Sequence, residues 1–508
     1  MYLFWQRNET SGIVCKSTLI YEMTHFYSKP AKIIIGIILA TLFYSTNPLA
    51  ISELANRTLF VAILMISWWI TEALPMPVVG IVPLVLFPLL KILKIEKVSE
   101  AYANPIIYLF LGGFMLGLAL EKWNLHRRIA LSIVKITGTS GDRIIIGFII
   151  ATGILSMWLS NTATTIMMLP IALSIIHLMK QNHIGEGNLA NFSLVLLLVI
   201  AMASNMSVGT IIGTPPNIAY VSHIQNKFLH QIGFLEWMMV CTPLSIVLMI
   251  SMYFILVKWL YPNHIKANKD TKDLIHNQYK ELGRFSTAEK RVFIIFISTS
   301  LLWITKDLIN KIHPNFQLDD TMIALMSTIL LFAIPSGLKS TEENSKSENL
   351  LEWEDSKKMA WGILLLFGGG IALGRGLEEA KLVQMLGKWL ASYHVNGFLL
   401  VVIITTLSIF ISELTSNVAQ VIIFAPVVSS LAIALGMNPL MLGIPMTMAA
   451  SCASMLPMGT PPNAIVFSSG HIKLKQMAYS GFIMNIASII LISVFCWFLI
   501  PIFMNHKF

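Results

Sequence analysis

The chain has 508 residues, of which 56% are hydrophobic and 12% charged, with a formal net charge of +9. A mean hydropathy of +0.73 is more than a soluble core can absorb, which excludes a soluble globular domain and points to a polytopic membrane protein. The basic balance therefore reads first as a topology signal, not as a nucleic-acid footprint.

Residues 1–30 are mixed and polar. No compact apolar stretch precedes a small-residue cleavage site there, so the first membrane helix, not a cleaved signal peptide, is expected to target the chain. Eleven runs are long enough to cross roughly 30 Å of hydrocarbon. They lie near 31–47, 54–72, 78–94, 105–122, 193–225, 236–260, 291–309, 320–338, 359–378, 439–470 and 478–504. Two further apolar stretches, 144–178 and 397–433, are too long for one span, and each holds a polar triplet near its centre. They read as re-entrant helical hairpins tipped by the triplets, because non-helical backbone at membrane depth must face protein or water. The alternative is two crossings joined by a polar turn outside the membrane. Segment 339–358 carries both charge signs and reads as a solvated linker. Four cysteines, Cys15, Cys241, Cys452 and Cys496, lie far apart with no CxxC pair. Neither a disulfide framework nor a zinc site is expected.

The chain repeats itself. Ser160-Asn161-Thr162 is followed by Gly213-Thr214-Pro215-Pro216-Asn217, and Ser416-Asn417-Val418 by Gly459-Thr460-Pro461-Pro462-Asn463. Pro170 and Pro426 stand equally far beyond the two triplets and are expected to close those segments. The run from Phe110 to Glu121 also aligns without a gap on Phe367 to Glu378. If the first hairpin crosses nothing, an odd number of crossings separates the copies and inverts the second. Inverted repeats with duplicated helix breaks are the sequence mark of a midplane site in a secondary transporter.

Basic residues set the orientation. Arg7, Lys16, Lys29 and Lys32 in the tail, Arg127, Arg128, Lys135 and Arg143 after the fourth span, and Lys266 to Arg291 after the sixth all fall on one side. That side is expected to be cytoplasmic, with the N-terminus there. The opposite loops hold fewer, among them Arg57, Lys97, Lys227 and Lys311.

The broken segments contain no Lys or Arg, and Glu413 is their sole carboxylate. Charged proton relays are missing where a pump would place them. What remains is neutral oxygen: hydroxyls, asparagine amides and carbonyls freed at the breaks, a set suited to sodium rather than a divalent ion. The same breaks suit an anion. Proline lacks an amide hydrogen and disfavours helix before it, so each Thr-Pro-Pro should end one half-helix and start another whose N-terminus attracts a carboxylate. Sodium ions nearby would supply the countercharge and couple the two ligands. The glycine runs at 112–117 and 368–376 read as close helix packing, and Trp68, Trp69, the Met-rich stretch 437–458 and the scattered histidines as packing or interface anchors. Arg375, Glu378 and Glu379 are expected near a span end.

The two triplets, the paired Gly-Thr-Pro-Pro-Asn breaks, the run from Trp69 to Pro75 and the eleven spans with two hairpins together resemble the divalent anion/sodium symporter family, relatives of the INDY di- and tricarboxylate carriers. The resemblance covers residues 31–504. It implies an all-α homodimer with an elevator motion. After the tail 1–30, its scaffold would be 31–143 and 291–396. The transport domain would be 144–260 and 397–508, with a cytoplasmic linker at 261–290. Carried over by position, one sodium site would use Ser156, Ser160, Asn161 and Gly213, the other Ser412, Thr415, Ser416, Asn417 and Gly459. The substrate would meet Asn161, Thr162, Thr214 and Pro215 from one half and Asn417, Thr460 and Pro461 from the other. Val418 stands where the family's second triplet usually ends in Thr. The loss of that hydroxyl would cost about 1.5–3 kcal/mol if it bonded a charged ligand.

The resulting expectation is sodium-coupled uptake of C4-dicarboxylates such as succinate, malate or fumarate across a bacterial inner (plasma) membrane, with sodium as coupling ion, no other cofactor and no nucleic-acid partner. Sulfate or citrate symport, dicarboxylate exchange and oxyanion efflux are the alternatives. An integral membrane enzyme fits less well, since the breaks lack a clustered His, Cys or carboxylate set.

Overall fold

The computed structural model describes residues 29–181, 186–267, 269–315, 317–337, 348–382, 385 and 396–504. Arg7, Lys16, Cys15 and positions 339–347 of the polar segment lie outside these residues. Among the described residues every regular element is helical, apart from one isolated bridge between Pro335 and Asn349. Nine of these helices are long and apolar enough to cross a membrane, and the protein is a multi-pass membrane protein.

Local signals set many helix starts. Asn104 caps Pro105–Lys122 by accepting from Ile106 N at 3.0 Å, and Asp319 caps Asp320–Ala333 by accepting from Thr321 N at 2.7 Å. Ser286 and Glu289 form a reciprocal capping box at the start of Thr287–Ile312. The glycine runs serve packing as expected. A methyl on Gly112 would lie 2.6 Å from Ala324 Cβ, and one on Gly369 would lie 2.2 Å from Gly80 O. Two helices thus approach to backbone contact in each half.

Each polar triplet stands where one helix gives way to the next, its serine just before the second helix and its other two residues in that helix's first turn: Gly141–Ser156 is followed by Asn161–Gln181, and Gly397–Ser412 by Asn417–Ala434. Both long spans carrying Thr-Pro-Pro are broken. The first runs as Glu186–Asn205 and Pro215–Phe228, the second as Leu440–Ser451 and Pro461–Phe467. All of Leu440–Ser451 is buried, as is the stretch from Phe192 to Thr210. The broken helices therefore form the interior, and the hairpins pack on them.

Several expectations need correction. Pro170 and Pro426 do not close their segments; each lies inside the returning helix of its hairpin. A proline removes one backbone hydrogen bond, but hydrocarbon penalises every further unpaired group, so the helix continues past it. The third span, 78–94, is not one helix. It forms Met76–Val79 and Val82–Leu89, with a break at Gly80, whose carbonyl accepts from Tyr102 Oη at 2.6 Å. Pro83 explains the interruption: it has no N–H for the Val79 carbonyl and disfavours helix in the residue before it. The basic stretch after the fourth span is an amphipathic helix, Leu125–Thr137. Its Arg128 is no free loop charge. It is buried and grips Glu289 through Nε and Nη2 at 3.0 and 3.1 Å. The linker 261–290 likewise contains a helix, Lys269–Glu281.

Candidate functional site

At the first tip, Ser160 caps the returning helix, its Oγ accepting from Ala163 N at 3.2 Å. This answers one of the first-turn N–H groups that a helix start leaves unpaired. The Met157 carbonyl in the same turn accepts a hydrogen bond from Thr210 Oγ1 in the first break. Tip and break are thereby clasped. Gly213 closes the arrangement: a methyl there would meet Ser207 O at 2.9 Å, Thr210 Oγ1 at 3.1 Å and Met157 O at 3.2 Å. Three oxygens crowd one bare glycine face. Close by in sequence, the buried Ser156 Oγ and Asn161 Oδ1 have no hydrogen-bond partner among the described residues. Buried oxygens left this way cost free energy unless something completes them. A neutral oxygen set of this kind fits sodium, and among the described residues no three His, Cys, Asp or Glu side chains gather as a metal centre.

The second tip is built on the same plan with different contacts. Ser416 Oγ caps its helix, accepting from Ala419 N at 3.4 Å. Ser412 Oγ donates to Asn417 Oδ1 at 2.7 Å and also reaches the Ala450 carbonyl, tying the tip to the second broken helix. Thr415 Oγ1 donates back to Ile411 O at 3.0 Å. Gly459 is buried with its bare face against Glu413 Oε2, 2.9 Å from where a methyl would sit.

The two breaks fold by one rule. The motif asparagine that follows each Pro-Pro turns back and donates to carbonyls of its own break. Asn217 reaches Val208 O and Thr210 O at 3.2 and 2.9 Å, and Asn463 reaches Ala453 O and Leu456 O at 3.3 and 3.0 Å. Each break is also tied to the other. Asn205, at the end of the first half-helix, donates to Thr460 Oγ1 at 2.9 Å and Asn463 Oδ1 at 3.1 Å. In the other half, Ser451 Oγ lies 3.4 Å from Thr214 Oγ1. Thr214 and Thr460 are buried, Pro215 is half-buried and Pro461 exposed.

Packing then runs crosswise. The returning helix of the first hairpin lies against Pro461–Phe467, and that of the second against Pro215–Phe228. Asn161 and Thr162 thus stand at the start of a helix packed on the one that Thr460 and Pro461 begin. Asn417 and Val418 hold the matching position against Thr214 and Pro215. All four triplet residues named here are half-buried, within reach of a solute. Four helix N-termini meet in one region, with no Lys or Arg between 144 and 179, 193 and 225, or 397 and 470, an arrangement that favours an anion through backbone N–H groups and dipoles.

The family described as the sodium:sulfate symporter transmembrane region matches residues 28–504. The chain belongs to the divalent anion/sodium symporter family. Among curated members of this family, the sodium-dependent dicarboxylate transporter SdcS of Staphylococcus saprophyticus is 40% identical over 488 residues, 92% of this chain and 91% of that protein. SdcS of Staphylococcus aureus strain MSSA476 is 39% identical over 514 aligned positions, 97% of each chain. The solved structure of Neisseria gonorrhoeae MtrF aligns over 80% of this symporter-family chain and 83% of its own, with 13% identity and a TM-score of 0.49.

Sequence reasoning missed several of the residues that hold the site together. Asn205, Ser451 and Thr210 carry no local signal, because their partners lie in the other half or across the tip. Asn217 and Asn463 were visible as motif members without their role. Lys227 was counted as a loop charge, yet it is half-buried in the helix Pro215–Phe228 and donates to Ser430 Oγ at 2.8 Å. It lines a cavity with His223, Arg375, Glu378 and Pro426, beside the second hairpin.

Proposed function

We propose that this protein is a secondary active transporter that couples sodium to the uptake of C4-dicarboxylates. The observation that carries the reading is the crosswise meeting of two hairpin tips with two broken helices, oxygen-rich, free of Lys and Arg, and anchored by asparagine. The SdcS relatives, named as sodium-dependent dicarboxylate transporters, support the substrate class.

In this reading the first sodium is held by Ser156, Ser160, Asn161 and Gly213, and the second by Ser412, Thr415, Ser416, Asn417 and Gly459. The carboxylates take N–H and hydroxyl donors from Asn161, Thr162 and Thr214 in one half and Asn417 and Thr460 in the other, with Pro215, Pro461 and Val418 lining the same space. Pro215 and Pro461 contribute as N1 residues: they lack an N–H themselves and fix the first turn whose N–H groups follow. An anion facing only neutral donors binds poorly, so sodium occupancy and substrate binding become one linked equilibrium. The hairpins and the helices from 144–260 and 397–508 move as a transport domain against a scaffold of 31–143 and 291–396, in an elevator motion. The protein sits as a homodimer in a bacterial inner membrane, N-terminus in the cytoplasm, and catalyses no covalent chemistry. The family description supports one further reading, sulfate as the transported anion.

Uptake of labelled succinate, citrate and sulfate into proteoliposomes, each with and without an inward sodium gradient, tests the proposal. Succinate uptake that requires sodium and resists competition by sulfate is expected. Sodium-dependent sulfate uptake without succinate uptake would replace the substrate assignment.

A further inference from the structure

Glu413 is the sole carboxylate between 144 and 179, 193 and 225, and 397 and 470, and it is almost fully buried at the second tip. Its Oε1 accepts from Ser454 N at 2.8 Å, Met455 N at 2.8 Å and Asn485 Nδ2 at 2.7 Å, and its Oε2 from Leu456 N at 3.0 Å. Three consecutive backbone N–H groups of the second break are thus gathered on one side chain from the hairpin tip. The two oxygens are unequally used. Oε1 is saturated by three donors, whereas Oε2 takes one and keeps acceptor capacity. That less used oxygen is the atom nearest the bare face of Gly459.

Charge sharpens the point. Among the described residues no basic side chain forms a salt bridge with Glu413. A buried carboxylate answered only by neutral donors is costly, and a cation beside it offsets that cost. The first tip has no counterpart. Aligning the two Ser-Asn pairs puts Met157 where the second half has Glu413, and Met157 contributes only its backbone carbonyl, to Thr210.

We propose that Glu413 is the charge-supplying and positioning residue of the second sodium site, and that it makes this site the tighter of the two. Oε1 holds the 454–456 turn so that the break keeps its shape around Gly459. Oε2 faces the ion. The inference rests on the sodium-coupled reading above, adding to it an order of occupancy: the second site fills first, and the uncharged first site fills at higher sodium.

The test is a sodium titration of the purified, full-length protein without dicarboxylate, at constant ionic strength with choline, reading the melting temperature. The wild type should be stabilised in two steps. Glu413→Gln should remove the low-concentration step, raising the sodium needed for half-stabilisation about tenfold, as loss of a full charge beside a cation implies. Ser156→Ala should weaken only the high-concentration step. Asn485→Ala removes a donor but keeps the charge, so it should lower the melting temperature in choline while leaving both sodium midpoints in place. If Glu413→Gln does not fold, Glu413→Asp, which withdraws the charge from Gly459, should raise the low midpoint by less. Unchanged sodium midpoints in a cooperatively melting Glu413→Gln or Glu413→Asp protein would leave Glu413 as a structural staple and overturn the proposal. A wild type that sodium does not stabilise at all would instead overturn the sodium-coupled reading beneath it.

Discussion

The two hairpin tips share a Ser-Asn pair, a serine cap and a facing glycine, yet they satisfy their polar atoms in opposite ways. At the first, Ser156 Oγ and Asn161 Oδ1 are buried with no partner, and a hydroxyl-to-carbonyl bond from Thr210 to Met157 is the clasp. At the second, the equivalent serine and asparagine bond each other, and Glu413 clamps the break by accepting three hydrogen bonds from its backbone and a fourth from Asn485. The duplicated motif therefore fixes backbone shape, while the residues between its letters decide how complete each site is in advance. One tip is assembled by the protein alone. The other leaves buried oxygens without a partner among the described residues, and in the proposed reading a sodium ion completes them.

The largest expected effect separates shared function from unequal stability. Asn161→Ala and Asn417→Ala should each reduce sodium-dependent uptake roughly 100-fold or more, since each amide is proposed to serve cation and anion together, and charged contacts are worth about 1.5–3 kcal/mol apiece. Their melting temperatures should differ. Asn417→Ala removes the bond from Ser412, which keeps only the Ala450 carbonyl, and should destabilise by about 1 kcal/mol, whereas Asn161→Ala removes an oxygen with no partner among the described residues and should leave stability unchanged. Equal destabilisation of both variants would remove the distinction between the tips.

Next in size is the place where the triplets differ in sequence. Val418 is half-buried in the first turn of its helix, opposite the half that carries Thr162. Val418→Thr should tighten succinate binding, about tenfold if the new hydroxyl meets a carboxylate at the strength of a charged hydrogen bond. Competition of succinate, citrate and sulfate against one labelled substrate measures it. Inhibition constants that do not move would take residue 418 out of the substrate site.

The smallest effects probe the ties between the halves. Asn205→Ala should cost about 1 kcal/mol or slightly more, because it removes donors to both Thr460 and Asn463, while Ser451→Ala, losing one 3.4 Å contact, should cost less. Chemical denaturation of both variants gives the order. A larger loss for Ser451→Ala would contradict the unequal bonding of the two breaks.

The hairpins and broken helices were legible in the sequence because they depend on local backbone chemistry. A Thr-Pro-Pro within an apolar run interrupts the helix wherever the run packs, and a Ser-Asn pair caps the helix that follows. The same local logic failed at Pro170 and Pro426, where the hydrocarbon setting outweighs one missing hydrogen bond, and at the third span, where Pro83 begins a second short helix after Gly80. Tertiary pairing was not legible. Arg128 reads as a loop charge until Glu289, 161 residues away, is placed beside it, and nothing around Asn205 announces a partner 255 residues on. Glu413 stood out as a lone carboxylate, but its role required the backbone N–H groups of residues 454–456 to be seen converging on it.

In the proposed mechanism sodium and a dicarboxylate travel together through this site. Proteoliposomes with no initial sodium gradient, given labelled sodium outside and then an inward succinate gradient, test it most directly. Symport predicts that succinate drives net sodium entry, and that Asn417→Ala abolishes both fluxes together. Succinate entry with no accompanying sodium flux would contradict the account and leave dicarboxylate exchange in its place.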